Sequence, residues 1–298
     1  MAEKKPPIID YEGSDYQTTF WDSGGREYED RVENIALQRL LPPQGSHLLE
    51  VGAGAGRNTP RYQGYQQVTL LDYSLTQLMQ AKDRLGESPR YTYVAGDVYR
   101  LPFLPGIYDG ATMIRVLHHM AQPRRALDEI RRVMTPGSTF ILEYANKQNL
   151  KAILRYLVGA QAWNPFSREP VEFVELNFDF HPRHVRTLLQ EVGFEVQRQL
   201  TVSHFRINFL KNNLPTGLLI TLDALAQWTG DYWQLSPSVF VRAEAVGDHP
   251  QPGDHELIFQ CPACRSSSWE ESTARLTCTA CGTTYPIQDG IYDFRDQP

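Results

Sequence analysis

The stretch Leu48-Leu49-Glu50-Val51-Gly52-Ala53-Gly54-Ala55-Gly56-Arg57-Asn58 decides how this chain is read. Its apolar opening reads as a short buried strand. The Gly-Ala-Gly-Ala-Gly run that follows lets the backbone turn tightly and approach a ligand with no side chain in the way. A small polar or anionic ligand is expected there. Dinucleotide-binding folds space their glycines as G-x-G-x-x-G, which would need glycine where Arg57 stands. The spacing here is G-x-G-x-G, with Glu50 two residues ahead of the first glycine.

Outward from the loop, Val68-Thr69-Leu70-Leu71 reads as a second buried strand ending at Asp72, twenty residues after Gly52. A carboxylate at the tip of a neighbouring strand can accept hydrogen bonds from both hydroxyls of a ribose. Asp72 can also be read as the cap of a helix over 75–85, a role that Ser74 fits better. Residues 90–95 alternate like a third strand and run into Gly96-Asp97-Val98. Residues 108–114 make a fourth strand, and 138–142 a fifth that ends at Glu143. Apolar residues at helical spacing over 29–41, 75–85 and 126–134 supply covering helices. This alternation predicts a doubly wound, mostly parallel sheet, in which ligands bind beyond the carboxyl ends of the strands. The glycine loop, Asp72, Asp97, Arg115 and Glu143 would share that rim.

The G-x-G-x-G loop after Glu50 resembles motif I of the class I methyltransferases that use S-adenosylmethionine (SAM). Asp109 followed by Val116-Leu117-His118-His119 resembles the run found in the type 11 family of those enzymes. The resemblance covers about residues 45–243. It implies an α/β, doubly wound, Rossmann-like sheet of seven strands. A helix, turn and strand over 184–200 precede a last strand over 236–243, inserted antiparallel. It further implies SAM as cofactor: the loop of Gly52, Gly54 and Gly56, with Glu50, holds the methionine portion, and Asp72 beside Tyr73 holds the ribose. Asp97 would take the adenine amino group, with Val98 packed on the ring and Arg115 on the same rim. The alternative reading of Asp97, as a turn residue after Gly96, is the weaker of the two. His118 and His119 invite a general-base role, yet adjacent residues on a strand-to-helix turn point different ways, so no catalytic residue is assigned. Tyr16, Phe20 and Trp21 either pack the domain edge or form a flap over bound SAM. Residues 149–181 interrupt the alternation with an aromatic-rich insertion above the rim. The segment 56–68 is short for a helix and carries Pro60 and Gly64.

The chain has 298 residues, enough for one α/β domain and a small second one. The net charge is −6, and nearly all of it lies from Gly247 onward, where eight acidic residues stand against three arginines. That balance leaves no nucleic-acid footprint. Residues 1–12 read as a mobile terminus without the apolar core of a secretory signal. The most apolar long window, 207–228, is broken by Lys211, Asn212, Asn213, Pro215 and Asp223 and cannot span a bilayer. A soluble, cytoplasmic protein with no membrane partner is expected.

All four cysteines lie in the tail, as Cys261-Pro262-Ala263-Cys264 and Cys278-Thr279-Ala280-Cys281. Two C-x-x-C knuckles can close a four-sulfur structural zinc site, whereas a redox role needs a thioredoxin-like context that is absent. Tyr285-Pro286-Ile287-Gln288-Asp289-Gly290-Ile291 resembles the ending of the small zinc-ribbon proteins that activate methyltransferases. The expected layout is a SAM-dependent methyltransferase domain over 1–246, a linker over 247–255 and a zinc ribbon over 256–298. The ribbon would serve as a built-in activator or dock a protein or RNA, although its acidity disfavours phosphate contacts. The methyl acceptor is not identified: a small molecule, RNA and protein all remain open. The competing reading is a non-catalytic SAM-binding scaffold that presents the ribbon to a partner.

Overall fold

The computed structural model describes residues 6–14, 19, 21, 25–248 and 257–295. Tyr16, Phe20 and residues 249–255 of the expected linker lie outside the described residues. In chain order the elements are α1 (Glu27–Leu40), β1 (Gly45–Val51), β2 (Tyr65–Asp72), α2 (Leu75–Leu85), β3 (Tyr91–Ala95), β4 (Tyr108–Met113) and α3 (Pro123–Val133). Then come β5 (Met134–Ala145), α4 (Leu150–Leu157), β6 (Val171–Val174), β7 (Asn177–Asp179), α5 (Pro182–Glu191) and β8 (Phe194–Val202). The chain continues through α6 (Asn208–Asn213), α7 (Thr216–Ala226) and β9 (Ser238–Ala245) to the tail strands β10 (Trp269–Glu271), β11 (Arg275–Cys278), β12 (Thr284–Gln288) and β13 (Ile291–Asp293).

Seven strands form the expected sheet in the order β3-β2-β1-β4-β5-β9-β8, with β9 antiparallel to both neighbours and the rest parallel. Successive residues of the central strands serve opposite faces, as the pleat requires. Leu48, Leu70 and Tyr93 pack with α1, α2 and α7, whereas Leu49, Leu71 and Val94 pack with α3 and α5. Both faces are therefore covered, which is why these strands read as apolar runs rather than alternating ones. Between β1 and β2 there is only one 3-10 turn, Thr59–Arg61, in place of a helix. Buried Glu50 holds that turn, accepting hydrogen bonds from the Thr59 hydroxyl at 2.6 Å and the Tyr62 hydroxyl at 3.2 Å.

The tail does not hang from the domain. Its last strand, β13, pairs in parallel with β3, placing Ile291 opposite Tyr93 and Asp293 opposite Ala95. The sheet thereby grows to eleven strands, with β12, β11 and β10 following β13. Phe259, Leu276, Tyr285 and Phe294 join the same core as Phe103, Tyr108 and α3. A segment too short to bury a core of its own borrows one from the domain. Among the described residues, no helix is long and apolar enough to cross a membrane.

Candidate functional site

A pocket opens beyond the carboxyl ends of β1, β2 and β4, where the sheet order reverses. Gly52, Gly54 and Gly56 all adopt left-handed backbone, with φ of 68°, 53° and 71°. At Gly52 this is compounded by space, since a Cβ there would lie 2.2 Å from Val116 Cγ2. The loop tip is tied to the next strand: the Gly54 amide donates to Asp72 Oδ2 at 2.8 Å, and the Ser74 amide to Oδ1 at 2.9 Å. The Tyr73 amide bonds the carboxylate as well, and with about four acceptor positions Asp72 still has capacity for a ligand hydroxyl. Burial raises the Asp72 carboxyl above its ordinary value, and the backbone amides oppose that shift. Ser74, not Asp72, is the side chain that caps α2, accepting from the Gln77 amide.

Of the residues singled out in the sequence, Gly52, Gly54, Asp72, Tyr73, Val98 and Arg115 line the pocket. Glu50, Gly56 and Asp97 stand behind the lining. Glu50 points into the 3-10 turn, and Gly56 sits where a Cβ would crowd Ala81 and Leu85 of α2. Asp97 accepts from the Tyr99 amide at 2.9 Å as the cap of a short 3-10 turn, and is buried. Arg115 has a left-handed backbone (φ 60°) and gives its amide to Glu143 at 2.9 Å. Its guanidinium bonds Glu33 on α1, which also receives Arg57 at 3.0 Å. Burial would raise Glu33, but Arg115 and Arg57 overcome that and hold it below its usual range. Trp21 lies over both cations, its ring 3.6 Å from Arg57 Cζ and 4.8 Å from Arg115 Cζ.

Sequence reasoning missed the wall on the other side. Residues 8, 9 and 11 line the pocket, although composition reads this terminus as mobile. The apolar pair Ile8-Ile9 in an otherwise polar stretch was the available signal. Glu12 explains the order: it accepts from the Leu75 amide at 2.9 Å and the Thr76 amide at 3.1 Å, satisfying donors that a helix start leaves open. His119 also lines the pocket. Its Nδ1 lies 3.1 Å from the Leu176 carbonyl, which can only accept, so Nδ1 carries the proton and Nε2 is the basic nitrogen, 3.3 Å from the Tyr11 hydroxyl. Burial lowers the pKa of His119, and that of His118 well below the ordinary value.

The four cysteine sulfurs lie within 4.8 Å of one another. Cys261 and Cys281 are 3.8 Å apart, and Cys264 and Cys278 3.6 Å. A tetrahedral zinc–thiolate centre, with Zn–S of about 2.3 Å, requires sulfurs about 3.8 Å apart, so the cluster fits that ion. Both knuckles close the same way, with a left-handed residue after the second cysteine: Arg265 (φ 63°) and Gly282 (φ 75°).

The sheet order, the glycine loop and the carboxylate after β2 are those of the Rossmann-like methyltransferase fold. Residues 49–142 match the family described as Methyltransferase domain. The chain is 30% identical over 150 residues to an O-methyltransferase (cnsE) of Penicillium expansum, covering 47% of this chain and 54% of that one. Over 113 residues it is 32% identical to a demethylmenaquinone methyltransferase of Paenarthrobacter aurescens, covering 38% and 44%. The chain thus spans about half the length of these curated relatives. Two solved structures share the fold. One is described as a complex between the Haloferax volcanii Trm112 methyltransferase activator and the putative methyltransferase (TM-score 0.55, 18% identity, 78% of this chain and 96% of that one). The other is described as a putative S-adenosylmethionine-dependent methyltransferase from Listeria monocytogenes (TM-score 0.54, 16% identity, 74% and 99%).

Proposed function

We propose that this chain transfers a methyl group from SAM to an oxygen or ring carbon of a small apolar acceptor. The observation that carries the reading is the pocket built from the left-handed glycine loop and Asp72 at the reversal point of the sheet. The missing helix after the loop supports SAM over a dinucleotide, because no helix N-terminus is there to neutralise a pyrophosphate. Asp72 holds the ribose hydroxyls, the glycine loop admits the methionine portion and Val98 packs the adenine. Asp97 acts one step back, by shaping the 96–98 turn that presents Val98.

When bound, SAM supplies a methyl group already activated on sulfonium. What remains for the protein is to align the acceptor, exclude water and accept a proton. Ile8, Ile9 and Trp21 exclude water. His119 accepts the proton by way of Tyr11: it is neutral near pH 7, its tautomer is fixed, and the Tyr11 hydroxyl at the pocket wall hands its own proton to the basic nitrogen as it takes the acceptor's. The names of the relatives support an oxygen or quinone-ring acceptor.

The tail holds one zinc ion through Cys261, Cys264, Cys278 and Cys281, and its work is internal. The strand it offers is already paired to β3, so the ribbon acts as a built-in activator rather than a docking arm for RNA or protein. The test is calorimetric titration with S-adenosylhomocysteine, followed by transfer of labelled methyl to a panel of phenols and hydroquinones. Micromolar binding and label in a phenolic product are expected. Binding without transfer to any small molecule, but with label in protein or RNA, would overturn the acceptor class. Absence of binding would overturn the SAM reading.

A further inference from the structure

The end of the cysteine tail reaches the pocket by a route that metal binding alone does not require. Arg295 follows β13, and its guanidinium is oriented by Asp293, with Nε 2.9 Å from Oδ1 and Nη2 2.7 Å from Oδ2. Asp293 is fixed in turn, since it sits opposite Ala95 at the end of β3 and is buried. The remaining arm of the fork, Nη1, points away from the tail: it lies 3.1 Å from Glu12 Oε2 and 3.4 Å from the Tyr73 carbonyl. One planar group therefore joins three segments: the tail, the turn after β2 and the N-terminal segment.

Glu12 is where that terminus is anchored. Its carboxylate takes the first amides of α2, and the Thr76 hydroxyl as well. Neighbouring bonds continue the seat, from the Gly13 amide to Thr76 Oγ1 at 3.1 Å and from Gln77 Nε2 to the Ser14 carbonyl at 2.9 Å. Immediately before Glu12, residues 8, 9 and 11 form the pocket wall that faces Asp72, Tyr73 and Val98. Burial opposes the charge of Glu12, but the Thr76 hydroxyl and the two α2 amides hold its carboxyl below the usual value, and Arg295 adds to that stabilisation from the tail side. The Arg295 side chain, 17% exposed, supplies the cation, while Glu12 itself remains 43% exposed.

We propose that Arg295 is a positioning residue for the SAM pocket: through Glu12 it holds residues 8–11 closed over the adenosyl side, so the tail sets cofactor affinity through a single ion pair. This rests on the reading of the pocket as a SAM site. It differs from general stabilisation by the ribbon, because it predicts a loss confined to the wall and to cofactor affinity.

The experiment is calorimetric titration of the full-length, zinc-loaded protein with S-adenosylhomocysteine, comparing wild type, Arg295→Gln, Glu12→Gln and the double variant. Hydrogen exchange of residues 8–14 is read in each. A partly exposed pair supports a modest effect, so each single variant should bind roughly two- to fivefold more weakly and exchange faster over 8–14. The double variant should be no weaker than the worse single, because both remove one link. Arg295→Lys should recover part of the affinity, since an ammonium can still reach Glu12. If Arg295→Gln binds as wild type does, or if the two losses add in full, the proposal is overturned. If wild type itself fails to bind, the SAM reading has failed. If wild type binds and only the coupling is absent, the latch alone has failed.

Discussion

The Gly54 amide and the Asp72 carboxylate are bonded at 2.8 Å, so the tip of the glycine loop and the end of β2 form one unit at the pocket. Asp72→Ala therefore removes two things at once: the acceptors proposed for the ribose hydroxyls and the tie that shapes the loop. Charge-assisted hydrogen bonds contribute about 1.5–3 kcal/mol each, so affinity for S-adenosylhomocysteine should fall on the order of 100-fold. Asp72→Asn keeps one acceptor oxygen and should fall less. Equal affinity for wild type and Asp72→Ala in calorimetry would remove Asp72 from the site.

Gly52 faces Val116 at a distance that no Cβ can share, and its φ of 68° disfavours any L side chain besides. Gly52→Ala should destabilise the protein by roughly 2–3 kcal/mol in urea unfolding, part from the left-handed backbone and part from the clash. Only the second part is recoverable. Adding Val116→Ala should restore some of the loss, whereas full restoration would mean that the backbone conformation costs nothing.

The doubly wound sheet was legible because a strand buried on both faces must be apolar throughout, and Leu48-Leu49, Leu70-Leu71 and Tyr93-Val94 each serve both cores. The glycine loop and Asp72 were legible for a related reason: positive φ and a carboxylate at a strand tip leave local marks. The pairing of β13 with β3 left none. Ile291 and Tyr93 are ordinary strand residues, and nothing near Tyr93 says which distant segment completes that edge. The N-terminal wall was illegible in the same way. Glu12 is one acid in a polar stretch until α2 places two unpaired amides in front of it. Asp97 was only half legible, since a carboxylate before a 3-10 turn and one aimed at a ligand share the same sequence context.

The role proposed for His119 predicts a pH dependence whose sign follows from its burial. The imidazole must be neutral to accept a proton, and burial lowers its pKa below the ordinary 6.5. kcat/KM for a phenolic acceptor should therefore be flat above that value and fall as pH drops through the lowered pKa. His119→Ala should lose about 10²–10⁴-fold in kcat while S-adenosylhomocysteine affinity changes little. A variant with full kcat would show that the acceptor ionises without help.

Glu50 is buried, and its carboxyl is pushed up to about 7. A group whose folded pKa is raised favours folding in full below its unfolded value of 4.5 and loses that contribution as pH rises to 7. Wild type should accordingly lose stability across that window. Glu50→Gln can still accept from Thr59 and carries no charge, so it should not show that loss. The stability gap between the two should be near zero at pH 4 and reach about 1–3 kcal/mol in favour of glutamine at pH 8. A pH-independent gap would show that burial leaves the Glu50 pKa where it is in the unfolded chain.

Treatment with a chelator tests the proposed zinc site and whether the tail supports the domain or merely rides on it. Cys261 and Cys278 are buried in the core that also contains Phe103, Tyr108 and α3, so releasing the knuckles should disturb that core and free β13 from β3. β3 would then be an open edge next to the pocket. Titration of thiols in the native protein should release one zinc ion per chain, and Cys264→Ser, which alters an exposed ligand, should reproduce the effect of chelation without touching the core. Both treatments should lower Tm and speed hydrogen exchange in residues 91–95, with metal binding worth several kcal/mol to the fold. Faster exchange in the tail strands alone, with β3 unchanged, would mean that β13 stays paired without the metal and that the sheet extension stands by itself.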